Sequence, residues 1–302
     1  MAEFSPEGTY TALVTPFTPD AKRIDWPAFE AHVQRQLAAG VQGVVVCGTT
    51  GESATLSPEE QAELIARTVR LVAGRTRVIA GTGCYDTRAS IDATKAAFAA
   101  GVDAAMLVVP YYTRPSQTGL RAHFAAIAQA CPGPLIVYNV PGRTVASLLE
   151  DTLLELIATY QNIVALKDAS NNVLYCQNVL SQAPRAFKVL SGDDALTLPM
   201  MSVGARGVIS VTSNVYPKAV KRAVDLALAG RWDEARELHL GLLRAHRAMF
   251  CAPSPAPTKA ALAAKGLMND AVRLPMTPLD ESTRQLVQQL LASFEERETE
   301  HP

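Results

Sequence analysis

The sequence predicts an α/β protein, a (β/α)8 barrel followed by a small all-α domain at the carboxyl end. Eight short apolar runs recur between residues 11 and 210, and a helical pattern follows each of them. Most runs are β-branched and apolar at consecutive positions, as in strands of a parallel sheet that are buried on both faces. Eight such units fit a closed barrel, and an open doubly wound sheet is the alternative.

The strands are predicted from the apolar runs and the helices from their terminal residues. The eight runs are Thr11–Thr15, Gly43–Val46, Arg77–Ala80, Ala104–Val109, Pro134–Tyr138, Ile163–Lys167, Phe187–Ser191 and Gly207–Ser210. Ser57–Glu60 has the sequence SPEE, which predicts a capping box with proline at the first helical position. Ser147–Glu150, with the sequence SLLE, predicts a second capping box. Gly40 and Gly101 each follow two alanines and predict the ends of two helices.

The strand–helix repeat stops near Ala229, and the remaining chain is helical in pattern. Helices are predicted over Trp232–Phe250, Thr258–Lys265 and Asp280–Glu296, with proline-rich links between them. The chain therefore divides into a catalytic barrel over residues 1–229 and a C-terminal helical domain over residues 230–302.

Composition excludes several classes of protein. Hydrophobic residues make up 48% of the 302 and charged residues 19%, which favours a large core over disorder. With 28 basic and 29 acidic residues, the net charge of −1 provides no excess for binding nucleic acid. The N-terminus lacks the pattern of a signal peptide, and the first half lacks an apolar stretch suited to a membrane span. We expect a soluble, cytoplasmic protein.

Cysteine and histidine usage argues against a metal site or a disulfide framework. The five cysteines are scattered without a CxxC pair, so reduced thiols are expected. The histidines follow no predicted strand, and no HExxH motif occurs. Neither a GxxxxGK[ST] nor a GxGxxG motif is present, so a nucleotide cofactor is not expected either.

Lys167, at the end of the sixth predicted strand, is the most informative single residue. In a barrel of this type the active site lies at the carboxyl ends of the strands. At an open strand edge, a lysine would simply keep its ammonium group in water. Inside the barrel mouth, desolvation lowers its pKa, and the neutral amine can form a Schiff base with a carbonyl substrate.

Hydroxyl groups and an arginine follow the neighbouring strands. Tyr112 and Tyr138 come at the ends of the fourth and fifth strands, and Thr49–Thr50 lies in a glycine-flanked loop after the second. Each alone is compatible with aromatic packing or turn formation. Together they could carry the proton transfers of Schiff-base chemistry without a metal. Arg143 offers a planar fork for a carboxylate, although a solvated surface arginine is the commoner case.

Seven motifs in order along the chain resemble one known family. They are GTTGES (Gly48–Ser53), PYY with RPSQTGL (Pro110–Leu120), YNVPGRT (Tyr138–Thr144), ALKDAS (Ala165–Ser170), SGDD (Ser191–Asp194), GVISV (Gly207–Val211) and RLPMTPL (Arg273–Leu279). This pattern resembles the dihydrodipicolinate synthase family of Schiff-base, pyruvate-dependent lyases. The resemblance implies a TIM barrel with a C-terminal helical domain, assembled as a homotetramer that is a dimer of dimers. It also implies condensation of pyruvate with L-aspartate 4-semialdehyde on the diaminopimelate route to lysine.

The resemblance implies a role for each matching catalytic residue. Lys167 corresponds to the lysine that forms the Schiff base with pyruvate. Tyr138 corresponds to the tyrosine that relays protons above it, and Thr49 to the threonine that links two tyrosines. Tyr112 corresponds to the second of these tyrosines, which is contributed across the tight dimer interface.

Four further positions correspond to substrate contacts. Thr50 matches a contact to the pyruvate carboxylate, and Arg143 matches the arginine that receives the carboxylate of the semialdehyde. Gly192 and Ile209 match main-chain contacts near the lysine.

The same resemblance points to a cleft in which some members bind lysine as a feedback inhibitor. Ser53, Ala54 and Tyr111 match that cleft, whereas its polar and acidic residues are replaced by Pro58, Gln61, Tyr85 and Ala89. A buried cation without an anionic partner bears an uncompensated desolvation cost. We therefore expect weak inhibition by lysine, or none.

Two other functions remain open from the sequence. A related Schiff-base aldolase acting on a keto-sugar acid or sialic acid would share the lysine and the tyrosine. Thr49–Thr50 and Gly142–Thr144 favour the synthase over such an aldolase. A non-catalytic paralogue with a binding role is disfavoured because every catalytic position is retained.

Overall fold

A computed structural model describes residues 4–300, and it contains a closed barrel of eight parallel strands. Neighbouring strands follow chain order, and β8 pairs with β1 to close the barrel. The strands are β1 (Gly8–Ala12), β2 (Gly43–Val46), β3 (Arg77–Gly81), β4 (Ala104–Val108), β5 (Leu135–Asn139), β6 (Ile163–Asp168), β7 (Lys188–Ser191) and β8 (Gly207–Ser210). The closed barrel confirms the predicted architecture over the alternative open sheet.

The first predicted strand is placed three residues too late. The structure has β1 at Gly8–Ala12 instead of Thr11–Thr15, because pairing with β8 begins where Gly8 lies opposite Gly207. The two backbones approach so closely that a Cβ on Gly207 would lie 2.0 Å from the Gly8 carbonyl oxygen. Leu13 and Val14 are buried without belonging to the strand, so the apolar run extends beyond it.

Helices surround the barrel and continue beyond it. They are α1 (Trp26–Ala38), α2 (Pro58–Val72), α3 (Thr87–Ala99), α4 (Gln117–Ala130), α5 (Pro141–Thr144), α6 (Glu150–Thr159), α7 (Val173–Gln182), α8 (Thr197–Ser202), α9 (Pro217–Leu228), α10 (Trp232–Ala248), α11 (Ala256–Ala264) and α12 (Glu281–Glu300). At least one helix follows every strand, as the sequence predicts. Within residues 4–300, none of these helices has the length and apolar character needed to cross a bilayer.

The helix-terminal signals at α1, α2 and α3 are confirmed. The Ser57 hydroxyl accepts a hydrogen bond from the Glu60 backbone N–H at 3.2 Å, and the Glu60 carboxylate accepts one from the Ser57 N–H at 3.0 Å. Gly40 and Gly101 adopt positive φ just after α1 and α3. At these two positions glycine supplies the left-handed turn that ends a helix.

The capping box predicted at Ser147–Glu150 is wrong. Helix α6 begins at Glu150 with Leu149 as its N-cap, and no side chain caps it. The preceding residues bond elsewhere: the Ser147 carbonyl and the Leu149 N–H both pair with the Gln117 side chain. These contacts to α4 hold the segment in an extended path, and the Glu150 carboxylate accepts a hydrogen bond from the Asn178 side chain at 3.4 Å instead of from Ser147.

Helices α10, α11 and α12 follow the barrel and pack against it. Helix α10 contacts both α9 and α12. Leu242 of α10 and Leu291 of α12 are buried in the same apolar cluster as Leu166 and Val208 of the barrel strands. The C-terminal helices therefore share a core with the barrel. Residues 1–3 and 301–302 of the two predicted domains lie outside the described residues.

Candidate active site

Strands β5 and β6 bring Tyr138 and Lys167 together at their carboxyl ends. The two residues are direct partners in the strand register, and each is only 5% exposed. The Lys167 Nζ lies 4.1 Å from the centroid of the Tyr138 ring. An amine is thus held against an aromatic face inside the barrel, where water is largely excluded.

Burial makes Lys167 a weaker base than an ordinary lysine. Desolvation lowers its pKa to about 7, and the positive charge of Arg143 acts in the same direction. The Asp194 carboxylate opposes them by favouring the ammonium form. A substantial fraction of the Lys167 side chain is therefore neutral near pH 7 and able to attack a carbonyl carbon.

Tyr138 stays protonated under the same conditions. Burial raises the pKa of its phenol to about 12, while Arg143 and a hydrogen bond from Thr49 partly oppose this. Thr49 begins a 3-10 turn, Thr49–Gly51, directly after β2, and Thr50 in that turn is buried. The phenol and the threonine hydroxyl thus form a short path along which protons can be passed near Lys167.

A cavity of about 340 Å³ opens at this end of the barrel. Thr49 lines it from the loop after β2, and Arg143 lines it from α5. Ser254 and Met276 line it from the C-terminal segment. This volume suits a small molecule, and the Arg143 guanidinium gives the cavity a cationic group for a carboxylate.

Comparison with known proteins identifies the family of this chain. The model of the dihydrodipicolinate synthetase family matches residues 5–294. The chain belongs to this family. It is 50% identical to a 4-hydroxy-tetrahydrodipicolinate synthase from Sorangium cellulosum, covering 98% of this chain and 99% of that protein. It is 46% identical to the enzyme of the same name from Bacillus subtilis, covering 91% and 94%.

A solved structure from the same family has nearly the same fold. The 4-hydroxy-tetrahydrodipicolinate synthase from Methylacidiphilum fumariolicum superimposes with a TM-score of 0.96 at 41% sequence identity. The alignment covers 98% of each chain. The barrel and the helices that follow it are therefore shared across the whole length of the two proteins.

Tyr112 lies apart from the other predicted catalytic residues of this dihydrodipicolinate synthetase family member. Its side chain is 90% exposed, and its backbone has a φ of 68°. A non-glycine residue in this left-handed region is strained unless its surroundings favour it. Within a single chain, the Tyr112 hydroxyl therefore lies in solvent and not beside the buried pair of Tyr138 and Lys167.

Gly192 directly follows β7 and Ile209 lies in β8. The Gly192 N–H donates to the Asp168 carbonyl at 2.7 Å, and a Cβ at Gly192 would lie 2.8 Å from the Cβ of Ala169. Ile209, in β8, is buried in the apolar cluster that also contains Tyr138. These contacts leave room at position 192 only for glycine and make Ile209 part of the barrel interior.

Sequence reasoning gave no role to Asp194, although it lies in the SGDD motif. Its buried carboxylate accepts hydrogen bonds from the Ser210 hydroxyl and from the backbone N–H groups of Val211 at 2.8 Å and Thr212 at 3.2 Å. Its negative charge also favours the ammonium form of Lys167 and so raises the pKa of that residue. The signal in the sequence was an acidic pair directly after a buried strand, a position that faces the active end of the barrel.

Residues predicted for the effector cleft line a cavity of about 530 Å³ beside α2 and α3. Its lining includes most of the predicted residues, namely Ser53, Ala54, Pro58, Gln61, Ala89 and Tyr111. Tyr85 is 55% exposed and packs edge-on against the Tyr111 ring, with centroids 5.4 Å apart. Asp86 is engaged as the N-cap of α3. Asp92, which the sequence reasoning did not consider, adds a carboxylate to the lining.

The described residues, 4–300, contain no group of three or more histidine, cysteine, aspartate or glutamate side chains placed to hold a metal ion.

Proposed function

We propose that this chain is a 4-hydroxy-tetrahydrodipicolinate synthase, which condenses pyruvate with L-aspartate 4-semialdehyde on the diaminopimelate route to lysine. The observation that carries the proposal is the buried Lys167 amine, with a pKa of about 7, held 4.1 Å from the Tyr138 ring. Such an amine suits a carbonyl substrate and a Schiff-base mechanism. The names of the relatives at 46–50% identity support the choice of substrates.

The first half of the reaction forms the Schiff base. The neutral Lys167 Nζ adds to the keto carbon of pyruvate, and a proton passes to the keto oxygen to give a carbinolamine. Loss of water from this intermediate leaves the imine. Tyr138 and Thr49 supply and receive the protons of these two steps, because the phenol stays protonated and the threonine hydroxyl bonds to it.

The second half forms the new carbon–carbon bond. Removal of a proton from the methyl group of the imine gives an enamine, and its terminal carbon attacks the aldehyde carbon of the semialdehyde, whose oxygen takes up a proton to become a hydroxyl. The amino group of the semialdehyde then adds to the imine carbon and closes the ring, and the Lys167 amine leaves, so the free enzyme is regenerated. The proposal assigns the pyruvate carboxylate to Thr50, with Gly192 and Ile209 as main-chain contacts near the lysine. It assigns the carboxylate of the semialdehyde to Arg143, the guanidinium at the cavity mouth.

The proposal includes a cytoplasmic homotetramer, a dimer of dimers in which Tyr112 of each subunit completes the hydroxyl relay of its neighbour. The 90% exposure of Tyr112 at a left-handed φ supports this, because a strained and exposed aromatic residue suits a binding contact. We also propose residues 1–229 as the catalytic barrel and residues 230–302 as the C-terminal helical domain. Sedimentation velocity tests the assembly, and a monomer at micromolar concentration would contradict it.

The effector cleft is proposed to be degenerate. Pro58, Gln61 and Ala89 provide no anion, and Tyr85 lies against Tyr111. Asp92 then contributes a carboxylate to the lining, whereas free lysine carries two ammonium groups that each need an anionic partner. Weak inhibition or none is the expected consequence.

Two measurements on the purified protein test the activity. Reduction by borohydride in the presence of pyruvate, followed by mass spectrometry, should attach one reduced pyruvate to the wild type at Lys167. The Lys167→Ala variant should show no adduct. Lys188 is partly exposed and is still present in this variant, so an adduct on it would reveal non-specific labelling. Turnover that depends on the semialdehyde selects the synthase, whereas turnover with a keto-sugar acid or sialic acid instead would select an aldolase. No adduct and no turnover would select a non-catalytic role.

A further inference from the structure

A buried ion pair ties the C-terminal helices to the turn that carries Thr49. The Lys259 Nζ on α11 donates to the Glu52 carboxylate at 2.5 Å, and the two side chains are 0% and 3% exposed. The same ammonium donates to the Ala271 carbonyl at 2.8 Å and lies 4.1 Å from the centroid of the Phe17 ring. Two hydrogens of the ammonium group are thus donated to oxygen atoms, and the charge lies against an aromatic ring.

Glu52 occupies an unusual backbone position. It joins two 3-10 turns, Thr49–Gly51 and Ser53–Thr55, and has φ 56° and ψ 36°. A glutamate in this left-handed region needs its surroundings to hold it there. Its side chain is held at both oxygens, because the second one accepts the Arg273 backbone N–H at 3.0 Å.

The constraint on Glu52 reaches Thr49 through a single backbone bond. The Glu52 N–H donates to the Thr49 carbonyl at 3.0 Å, which closes the first turn. The Arg273 guanidinium fixes the far end of the second turn by donating to the Thr55 carbonyl at 2.9 Å. Both turns are therefore anchored to residues more than 200 positions away in the chain.

We propose that Glu52 and Lys259 are positioning residues, which hold the Thr49–Gly51 turn in register with Tyr138 through their buried contact. This inference rests on the proposed synthase activity for its kinetic test. Glu52 lines the same cavity as Thr49, but its two carboxylate oxygens are already engaged by Lys259 and by the Arg273 N–H, so its effect on the reaction passes through the turn. A displacement of about 1 Å in a catalytic group can lower a rate on the order of a hundredfold. Loss of the pair is therefore expected to lower kcat and to slow the formation of the Schiff base, while Lys167 still traps pyruvate to the full extent when given time.

The test replaces the pair by apolar side chains of similar length. In Glu52→Met/Lys259→Met no buried charge is left without a partner, so the protein is expected to fold. A methionine at position 52 has no acceptor for the Arg273 N–H, so the side-chain anchor that keeps this position at its positive φ is lost. Lys221→Met, which breaks a partly exposed ion pair with Asp225 on α9, is the matched control.

Two readouts separate positioning from a merely structural role. Borohydride trapping counts the sites that still form the Schiff base, and kcat is expressed per trapped site. We expect the double variant to lose at least tenfold in kcat per site, with trapping near one per chain and the control unchanged. Hydrogen exchange in residues 48–55 should become faster in the double variant alone, and this measurement needs no turnover.

The outcomes are distinct from those of the proposed function. A wild type that does not use the semialdehyde refutes the synthase activity, and the exchange measurement then still decides whether the pair holds the turn. Where the wild type is active, a kcat per site within twofold of the wild type in the double variant overturns the proposal. A double variant that does not fold also overturns it, because the pair would then be a determinant of the fold as a whole.

Discussion

The ionisation of Lys167 leads to a quantitative prediction for Schiff-base formation. Its pKa is about 7, against 10.5 for lysine in water. At 1.36 kcal/mol per pKa unit, burial, Asp194 and Arg143 together disfavour the ammonium by roughly 5 kcal/mol. Near pH 7 about half of the Lys167 side chains are then neutral, against roughly one in 3,000 for an unperturbed lysine. The concentration of nucleophile is higher by a factor on the order of 10³.

The assay measures the rate of pyruvate trapping by cyanoborohydride between pH 5.5 and 9. The rate should rise with pH as the ammonium loses its proton, with a midpoint near 7 and a plateau above it. Asp194→Asn removes the anion that favours the ammonium, so the midpoint should move to lower pH. Arg143→Ala removes an opposing cation, so the midpoint should move to higher pH.

Two results would refute this reasoning about Lys167. A midpoint above pH 9 would mean that burial does not lower the pKa of the Lys167 amine. Shifts of the two variants in the same direction would mean that Asp194 and Arg143 do not act through their charges. Lys167→Ala, which should trap no pyruvate, serves as the blank for the whole series.

Four further predictions concern other residues of the site and the core. Tyr112→Phe should lower kcat by roughly 10²–10⁴-fold, the usual contribution of a general acid–base group. Tyr160→Phe, a change outside the site, should leave kcat unchanged. Equal kcat values for the two variants would exclude Tyr112 from the relay. Arg143→Ala should raise the KM of the semialdehyde roughly tenfold to a hundredfold and that of pyruvate less, and equal rises would contradict the division of carboxylates. L-lysine should give half-inhibition only above about 1 mM, near −4 kcal/mol of binding, and tighter inhibition that Asp92→Asn abolishes would show a working effector site. Burial lowers the pKa of His32 to about 4, so the unfolded chain binds more protons below pH 6.5. The protonation of His32 should then lower the stability to urea by on the order of 3 kcal/mol between pH 6.5 and 4, so His32→Gln should lose less stability over this range, and equal losses would contradict the assignment.

The apolar runs predict the strands correctly where the run and the strand have the same ends. Gly43–Val46 and Gly207–Ser210 match β2 and β8 at both ends. The first strand was misplaced because Leu13 and Val14 are buried in the loop that follows it. Burial extends beyond the hydrogen-bonded ladder there, and composition alone does not distinguish the two.

The site was predictable to the extent that its residues end strands. Lys167 and Tyr138 were found because barrel topology brings successive strand ends together. The capping box at Ser147–Glu150 is wrong because residues distant in sequence hold this segment: Gln117 bonds to the Ser147 carbonyl, and Asn178 bonds to the Glu150 carboxylate. Glu52 and Lys259 are separated by 207 positions, and no local rule connects a charged residue in a loop with one in a distant helix.

The distance in sequence between Glu52 and Lys259 also has a consequence for protein synthesis. A ribosome adds about 5–20 residues per second, so roughly 10 to 40 s pass between the two residues. During this interval every strand of the barrel has been made, but the Glu52 carboxylate still has no ammonium partner. The turn that carries Thr49 thus gains its buried ion pair only after α11 has left the exit tunnel. A chain released before residue 259 would contain all eight strands and the Lys167 amine, and would lack the cation that bonds to Glu52.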